Sequence, residues 1–227
     1  MPHTSRLAQA QASRYQVPPQ AGYRRKVGEI FTSAEILSLT RRSDWRGLWA
    51  VGSTWGVIAG AFAVMAWASH QLPTWAAVLT VLVGMAVIAG RQLGLAILMH
   101  EASHGTLFKT KWFNEVLVDW VCARPIWNDL AKYRAHHLLH HSKTGSAQDT
   151  DISLVAPFPT TRASLMRKLV RVLVGLTGLK FFVGRLLMDA GYLKWTIAQD
   201  LTKLPQEGRT LPECITTFAR NNTPMLL

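Results

Sequence analysis

The stretch LWAVGSTWGVIAGAFAVMAWASHQLPTWAAVLTVLVGMAVIAG, Leu48 to Gly90, contains no Lys, Arg, Asp or Glu. As one helix it would be about 65 Å long at 1.5 Å per residue, while the hydrocarbon core of a bilayer is about 30 Å thick. A single span cannot use it, but two spans joined by a tight turn can. The turn falls at Ser69-His70-Gln71-Leu72-Pro73, where polar residues and a proline interrupt the apolar run. The predicted spans are therefore roughly 48–68 and 74–95, with Trp49, Trp67 and Trp75 near their ends, where interfacial rings belong.

Around this stretch the chain is basic. It has 25 Lys+Arg against 13 Asp+Glu over 227 residues, a formal net charge of +12, with 49% hydrophobic residues. The segregation of charge from the apolar run argues for a membrane with the basic excess on one side. Arg24, Arg25, Lys26, Arg41, Arg42 and Arg46 precede the first span, the hairpin carries no Lys or Arg, and Lys109 and Lys111 follow the second. That bias predicts a multi-pass membrane protein with the N-terminus and everything after about residue 95 in the cytoplasm. Arg91 lies within the second apolar segment and is expected to face protein or mark the helix leaving the bilayer.

The basic residues are not interleaved with aromatic platforms, and no nucleic-acid module signature is present, so nucleic acid is not an expected partner. Cys122 and Cys214 form neither a disulfide framework nor a CxxC site. Residues 1–40 read as a basic, disordered cytoplasmic region; a transit peptide is the other reading of its first twenty residues. Residues 41–227 read as one domain. The segment 165–187 is apolar but punctuated by Arg167, Lys168, Arg171, Lys180 and Arg185, as in a basic amphipathic helix lying in the interface. Residues 112–130, with Trp112, Trp120 and Trp127, are expected to dip into the headgroup region. The fold class expected is all-α: an integral membrane protein with one transmembrane hairpin plus cytoplasmic and interfacial helices.

Six of the eight histidines fall in two clusters. In His100-Glu101-Ala102-Ser103-His104 the two imidazoles stand at i and i+4 on one helical face, about 6 Å apart at Cβ. In His136-His137-Leu138-Leu139-His140-His141, His137 and His141 share a face and His136 pairs with His140 in the same way. Such clusters point to metal ligation, although imidazole alone does not name the metal. His3 and His70 stand apart and are read as structural. Literally, His100-Glu101-x-x-His104 is also the HExxH of zinc proteases, with Glu101 as general base. That chemistry leaves the histidines at 136–141 without a role, so a zinc membrane protease is the lesser alternative.

The order of these features resembles the membrane fatty acid desaturase family: a spanning hairpin, HxxxH beyond the second span, then HxxHH some thirty residues later. The segment Tyr133-Arg134-Ala135-His136-His137-Leu138-Leu139-His140-His141, with its aromatic-Arg lead-in, is similar to the family's second box, and Asp149 and Asp151 to the acidic stretch after it. The resemblance implies iron ligation by His100, His104, His137, His140 and His141, with His136 in reserve. It assigns Glu101 no catalytic role and implies no catalytic side chain beyond the ligands. It implies two iron ions and O₂, electrons from a donor such as ferredoxin or a cytochrome b5-type protein, and removal of two vicinal hydrogens to leave a double bond. The substrate would be a fatty acyl lipid, acyl-CoA or acyl-carrier, its chain lying in an apolar slot between the spans and the interfacial helices. A related di-iron hydroxylase or ketolase is the second alternative. Asp149 and Asp151 could accept the outer ring N–H of ligand imidazoles or serve as turn residues.

The family's third HxxHH box and second hairpin have no counterpart here, and Asn221 to Leu227 reads as a helix start with Thr223 as N-cap and Pro224 at the first position. The expectation is therefore a C-terminally truncated member, whose imidazoles are too few for two irons.

Overall fold

A computed structural model of the chain describes residues 27–144, 146, 148–151, 158–195 and 201–226. The described residues are all-α, as expected, apart from one short antiparallel pair of strands. They divide into two compact units: one extends to His137, the other begins at Leu138, and the division falls inside a helix.

The first unit opens with two short helices, α1 (Val27–Ile30) and α2 (Ser33–Leu39), inside the segment read as disordered. A capping box accounts for α2: the Glu35 amide donates to the Thr32 hydroxyl, and the Glu35 carboxylate accepts from the Thr32 N–H. The basic tail through residue 26 lies outside the described residues.

The charge-free run forms α3 (Asp44–Gln71) and α4 (Thr74–Ser103). They break where the sequence predicts, because Pro73 excludes Leu72 from the helical region. Both helices are long and apolar enough to cross a membrane, and only 6% of the apolar window of α4 is buried. A soluble protein's core helix would be enclosed. On α3 the buried residues Gly47, Val51, Thr54 and Ile58 recur every three to four positions and make one stripe, while Leu95, Met99 and Ala102 of α4 are buried in the same core.

Below this end of the hairpin the chain turns through two π-helical segments, Phe113–Leu117 and Asp119–Ala123, and a 3₁₀ turn, Arg124–Ile126. This part was expected to dip into headgroups. Its Val118, Cys122 and Ala123 are fully buried with Phe108 in the core, while Trp112 and Trp120 remain exposed. Asn114, itself buried, serves the 108–110 backbone as a strand partner would. Its Oδ1 accepts from the Phe108 N–H at 3.0 Å, and its Nδ2 donates to the Phe108 carbonyl at 2.8 Å. The Trp55 indole donates to the Val121 carbonyl at 2.9 Å and ties α3 to the same segment. α5 (Leu130–Lys143) follows.

In the second unit the single amphipathic helix expected over 165–187 is two helices, α6 (Arg162–Leu173) and α7 (Leu176–Asp189). Gly175, at φ +78°, takes the left-handed conformation that ends one helix before the next begins. β1 (Leu193–Trp195) and β2 (Leu201–Lys203) pair antiparallel. The helix start expected at Thr223-Pro224 is not there: α8 runs Leu211–Leu226. Its start is set earlier, where the Thr210 N–H donates to Glu213 at 2.8 Å and Pro212 occupies the first turn. Arg209 donates to the Gly191 and Ala190 carbonyls at the end of α7.

Gly47 makes the closest helix–loop approach. A Cβ there would lie 2.4 Å from the Phe108 ring and 2.9 Å from the Leu107 carbonyl oxygen, whereas one at Gly52 meets nothing within 4 Å. Gly47→Ala should therefore destabilise the detergent-solubilised protein by about 1–3 kcal/mol through overpacking. Gly52→Ala should be neutral or stabilising by up to about 1 kcal/mol, since alanine is the better helix former. Thermal unfolding followed by tryptophan fluorescence checks both, and equal effects would refute the packing assignment.

Candidate metal centre

Helix α4 delivers the first histidine pair at its very end. It stops by a Schellman arrangement: Gly105, at φ +68°, donates to the Ala102 carbonyl at 2.9 Å and Thr106 to the Glu101 carbonyl at 3.1 Å. His100 and His104 thus stand one turn apart on the final turn, their ring centroids 4.9 Å from each other.

Helix α5 delivers the second cluster, and its start is fixed by two carboxylates. Asp129 caps it by accepting from the Lys132 N–H at 2.9 Å. Asp119 accepts from the Leu130 N–H at 3.0 Å while its other oxygen takes the Arg124 Nε–H at 2.8 Å. His137 consequently reaches the first pair. Its Nε2 lies 2.9 Å from the His104 Nε2, and its ring centroid lies 4.5 Å from that of His100. His141 follows one turn later on the same face of α5. The candidate ligand atoms of His100, His104 and His137, all in the first unit, lie within 4.8 Å of one another.

The aromatic-Arg lead-in has a structural use that the sequence did not reveal. Tyr133 stacks on His137 with centroids 5.1 Å apart and planes at 16°. Arg134 donates from Nε to the Ser103 carbonyl at 3.0 Å and from a terminal nitrogen to the Ala102 carbonyl at 3.2 Å. These carbonyls belong to the last turn of α4, where that of Ala102 already accepts from Gly105 and the guanidinium adds a further donor. One guanidinium on α5 therefore holds the helix end that carries His100 and His104. No sequence signal shows this contact, because its partners are thirty-one and thirty-two residues away.

Glu101 is turned to its neighbours rather than into the cluster. Its carboxylate lies 3.2 Å from the His100 Nδ1 and accepts from the Thr106 hydroxyl at 2.9 Å. His140, like His141, belongs to the second unit. Its Nδ1 lies 2.6 Å from the Asp149 carboxylate and 3.7 Å from that of Asp151. The buried Asp149 also accepts the Asp151 N–H at 2.9 Å, so it is both the imidazole's acceptor and a turn-forming residue. The two readings of the acidic pair are compatible. His136 stands beside His137 outside the group, His70 is exposed on the last turn of α3, and His3 lies outside the described residues.

The donor set fits a transition metal. Metal–imidazole bonds of about 2.1 Å put ligand nitrogens about 3–4 Å apart around one ion, the spacing at which the His104 and His137 nitrogens already stand. Two nitrogens 2.9 Å apart share at most one proton when both rings are neutral, whereas a cation satisfies both lone pairs. Burial pushes the Cys122 thiol up to about 12, so it supplies no thiolate near neutral pH.

The sequence matches the fatty acid desaturase family over residues 72–217, which takes in both histidine clusters. No curated protein and no solved structure gives a significant match. The two apolar helices and the family together support association with a membrane and a lipid substrate. With a match over more than half its length, the chain belongs to the fatty acid desaturase family.

Proposed function

We propose that the chain is an oxygen-dependent desaturase that binds iron through its two histidine boxes and introduces a double bond into a fatty acyl chain. The convergence of His100 and His104 with His137 at the end of an apolar helix carries this reading. His100, His104, His137 and His141 would hold one iron, and His140, oriented by Asp149, would contribute to a second. Iron bound there supplies the oxygen-activating redox chemistry that an unactivated methylene demands and no side-chain acid or base provides.

The protein's own part is to present lone pairs and keep them aimed. With Nδ1 of His140 donating to Asp149 and Nδ1 of His100 to Glu101, Nε2 of each ring is the nitrogen left as acceptor. Thr106 steadies Glu101. A zinc protease would need that carboxylate poised on a metal-bound water, and its engagement with Thr106 and His100 argues against the role.

The proposed topology has α3 and α4 as spans, with the N-terminus and the histidine boxes on the cytoplasmic side, where ferredoxin or a cytochrome b5-type donor would deliver electrons. An apolar groove of about 610 Å³ runs between the spans, lined by Val57, Val64, Leu79, Val83 and Val87 among others. Val87 is about 20 Å along α4 from His100 at 1.5 Å per residue. This groove can hold an acyl tail, but the reacting carbons have to lie nearer the histidines.

Purified chain is expected to retain iron in preference to zinc by elemental analysis, and His137→Ala should lose most of it. Stoichiometric zinc without iron would refute the reading, and a hydroxylated product from expressing cells would select the hydroxylase alternative. Arg134→Gln should weaken metal affinity roughly 10- to 100-fold, as removal of groups that orient ligands does. Arg134→Lys should not restore it, because an ammonium lacks the planar fork that spans two carbonyls. Titration with Co(II), read through its visible ligand-field spectrum, separates positioning from general stability: lower thermal stability with unchanged affinity and spectrum would refute the positioning role.

A further inference from the structure

At the same end of the α3–α4 hairpin lies a second, chemically different cavity, of about 840 Å³, walled by Arg41, Arg42, Arg46 and Lys109. Four like charges around one cleft repel one another, and their proximity needs a counter-charge. The cleft's single carboxylate, Asp44, accepts from the Thr110 N–H and from the Thr110 hydroxyl, each at 2.8 Å, and offsets Lys109, which leaves the three arginines in excess. Among the described residues no carboxylate stands within ion-pair distance of the three arginines. Thr110 and the contact of Gly47 with Phe108 hold the Lys109 loop against the start of α3, so both walls of the cleft are fixed.

Its position identifies the anion. The cleft surrounds the first turn of an apolar helix whose Trp45 and Trp49 are 73% and 68% exposed, the arrangement of rings at a membrane–water interface. Guanidinium groups pair with phosphate oxygens through parallel N–H donors, and lysine adds a point charge. We propose that this cleft binds the phosphate of an anionic phospholipid, gripped by Arg41, Arg42, Arg46 and Lys109. The proposal rests on α3 spanning the bilayer. Arg42 and Lys109 also line an adjoining cavity of about 330 Å³ that His104 borders, so the bound headgroup is a neighbour of the candidate metal centre.

The test is native mass spectrometry of the full chain in detergent, titrated with phosphatidylglycerol or phosphatidylcholine. Resistance of the chain to carbonate extraction from membranes, measured separately, reports whether it is inserted. Phosphatidylglycerol should bind preferentially, and R41Q/R42Q/R46Q should weaken that binding roughly tenfold to a hundredfold, at the usual contribution of each basic side chain near a membrane surface. K194Q/K203Q/R220Q removes the same charge from exposed positions elsewhere and should change it less than about twofold. Equal losses in the two triple variants, or no preference between the lipids, would overturn the cleft. Displacement of the lipid by equimolar inorganic phosphate would overturn the lipid assignment in favour of a free anion. Extraction of the chain by carbonate would instead overturn the spanning reading on which the cleft depends. Circular dichroism and gel-filtration profiles matching the parent protein confirm that the variants are folded.

Discussion

Three imidazoles with ring centroids 4.5–4.9 Å apart require the end of one helix to be held against the side of another to within a fraction of an ångström. The contact that sets this is the Arg134 guanidinium on the Ala102 and Ser103 carbonyls. A helix end has unpaired carbonyls and a partial negative charge, and a cation carried by the partner helix satisfies both at once. Arg134 lies three residues before His137, and Ser103 directly before His104. The bond therefore acts within one turn of the ligands on both sides, where little flexibility intervenes. In the second unit Arg209 does the same for the carbonyls after α7, which makes guanidinium capping a recurrent device of this chain.

Around this contact the first unit carries a second set of polar ties. Asn114 pairs with both backbone groups of the buried Phe108, and Asp119 links Arg124 to the first amide of α5. Such bonds contribute about 1 kcal/mol each when made, but leaving a buried partner unpaired costs about 1–3 kcal/mol. Their value lies in excluding other arrangements of the 105–129 chain. That chain connects the two histidine helices, and the π-helical turns and the left-handed Trp127, at φ 60°, show how irregular a path it takes.

Features governed by local rules were legible in the sequence. The absence of charge over 48–90 predicts two apolar helices, Pro73 marks the break, and the i, i+4 histidines share faces as drawn. Both helices run past the predicted ends because apolar composition marks the hydrocarbon-facing part and not the polar turns beyond it. Some local signals were present and unread: the capping residues Thr32/Glu35 and Thr210/Glu213, and the lone Gly175 that divides α6 from α7. The misplaced start at Thr223 comes from the same source, since Thr-Pro before apolar residues is a start signal only when no helix is already under way. Nothing local could place Arg134 against α4 or bury the 113–123 segment. Those depend on contacts between residues distant along the chain.

The length of α4 links the two halves of the functional reading. Thirty residues extend about 45 Å, against about 30 Å of hydrocarbon. Set across a bilayer with Thr74 at one boundary, the helix brings Arg91 to about 26 Å, close to the other boundary, where its side chain can reach water. His100 then stands about 9 Å beyond it. The apolar surface of α4 and the imidazoles at its end thus belong to different depths of one rigid rod. In the proposed reaction an acyl chain would therefore have to rise out of the hydrocarbon to meet the histidines, which α4 would hold beyond it.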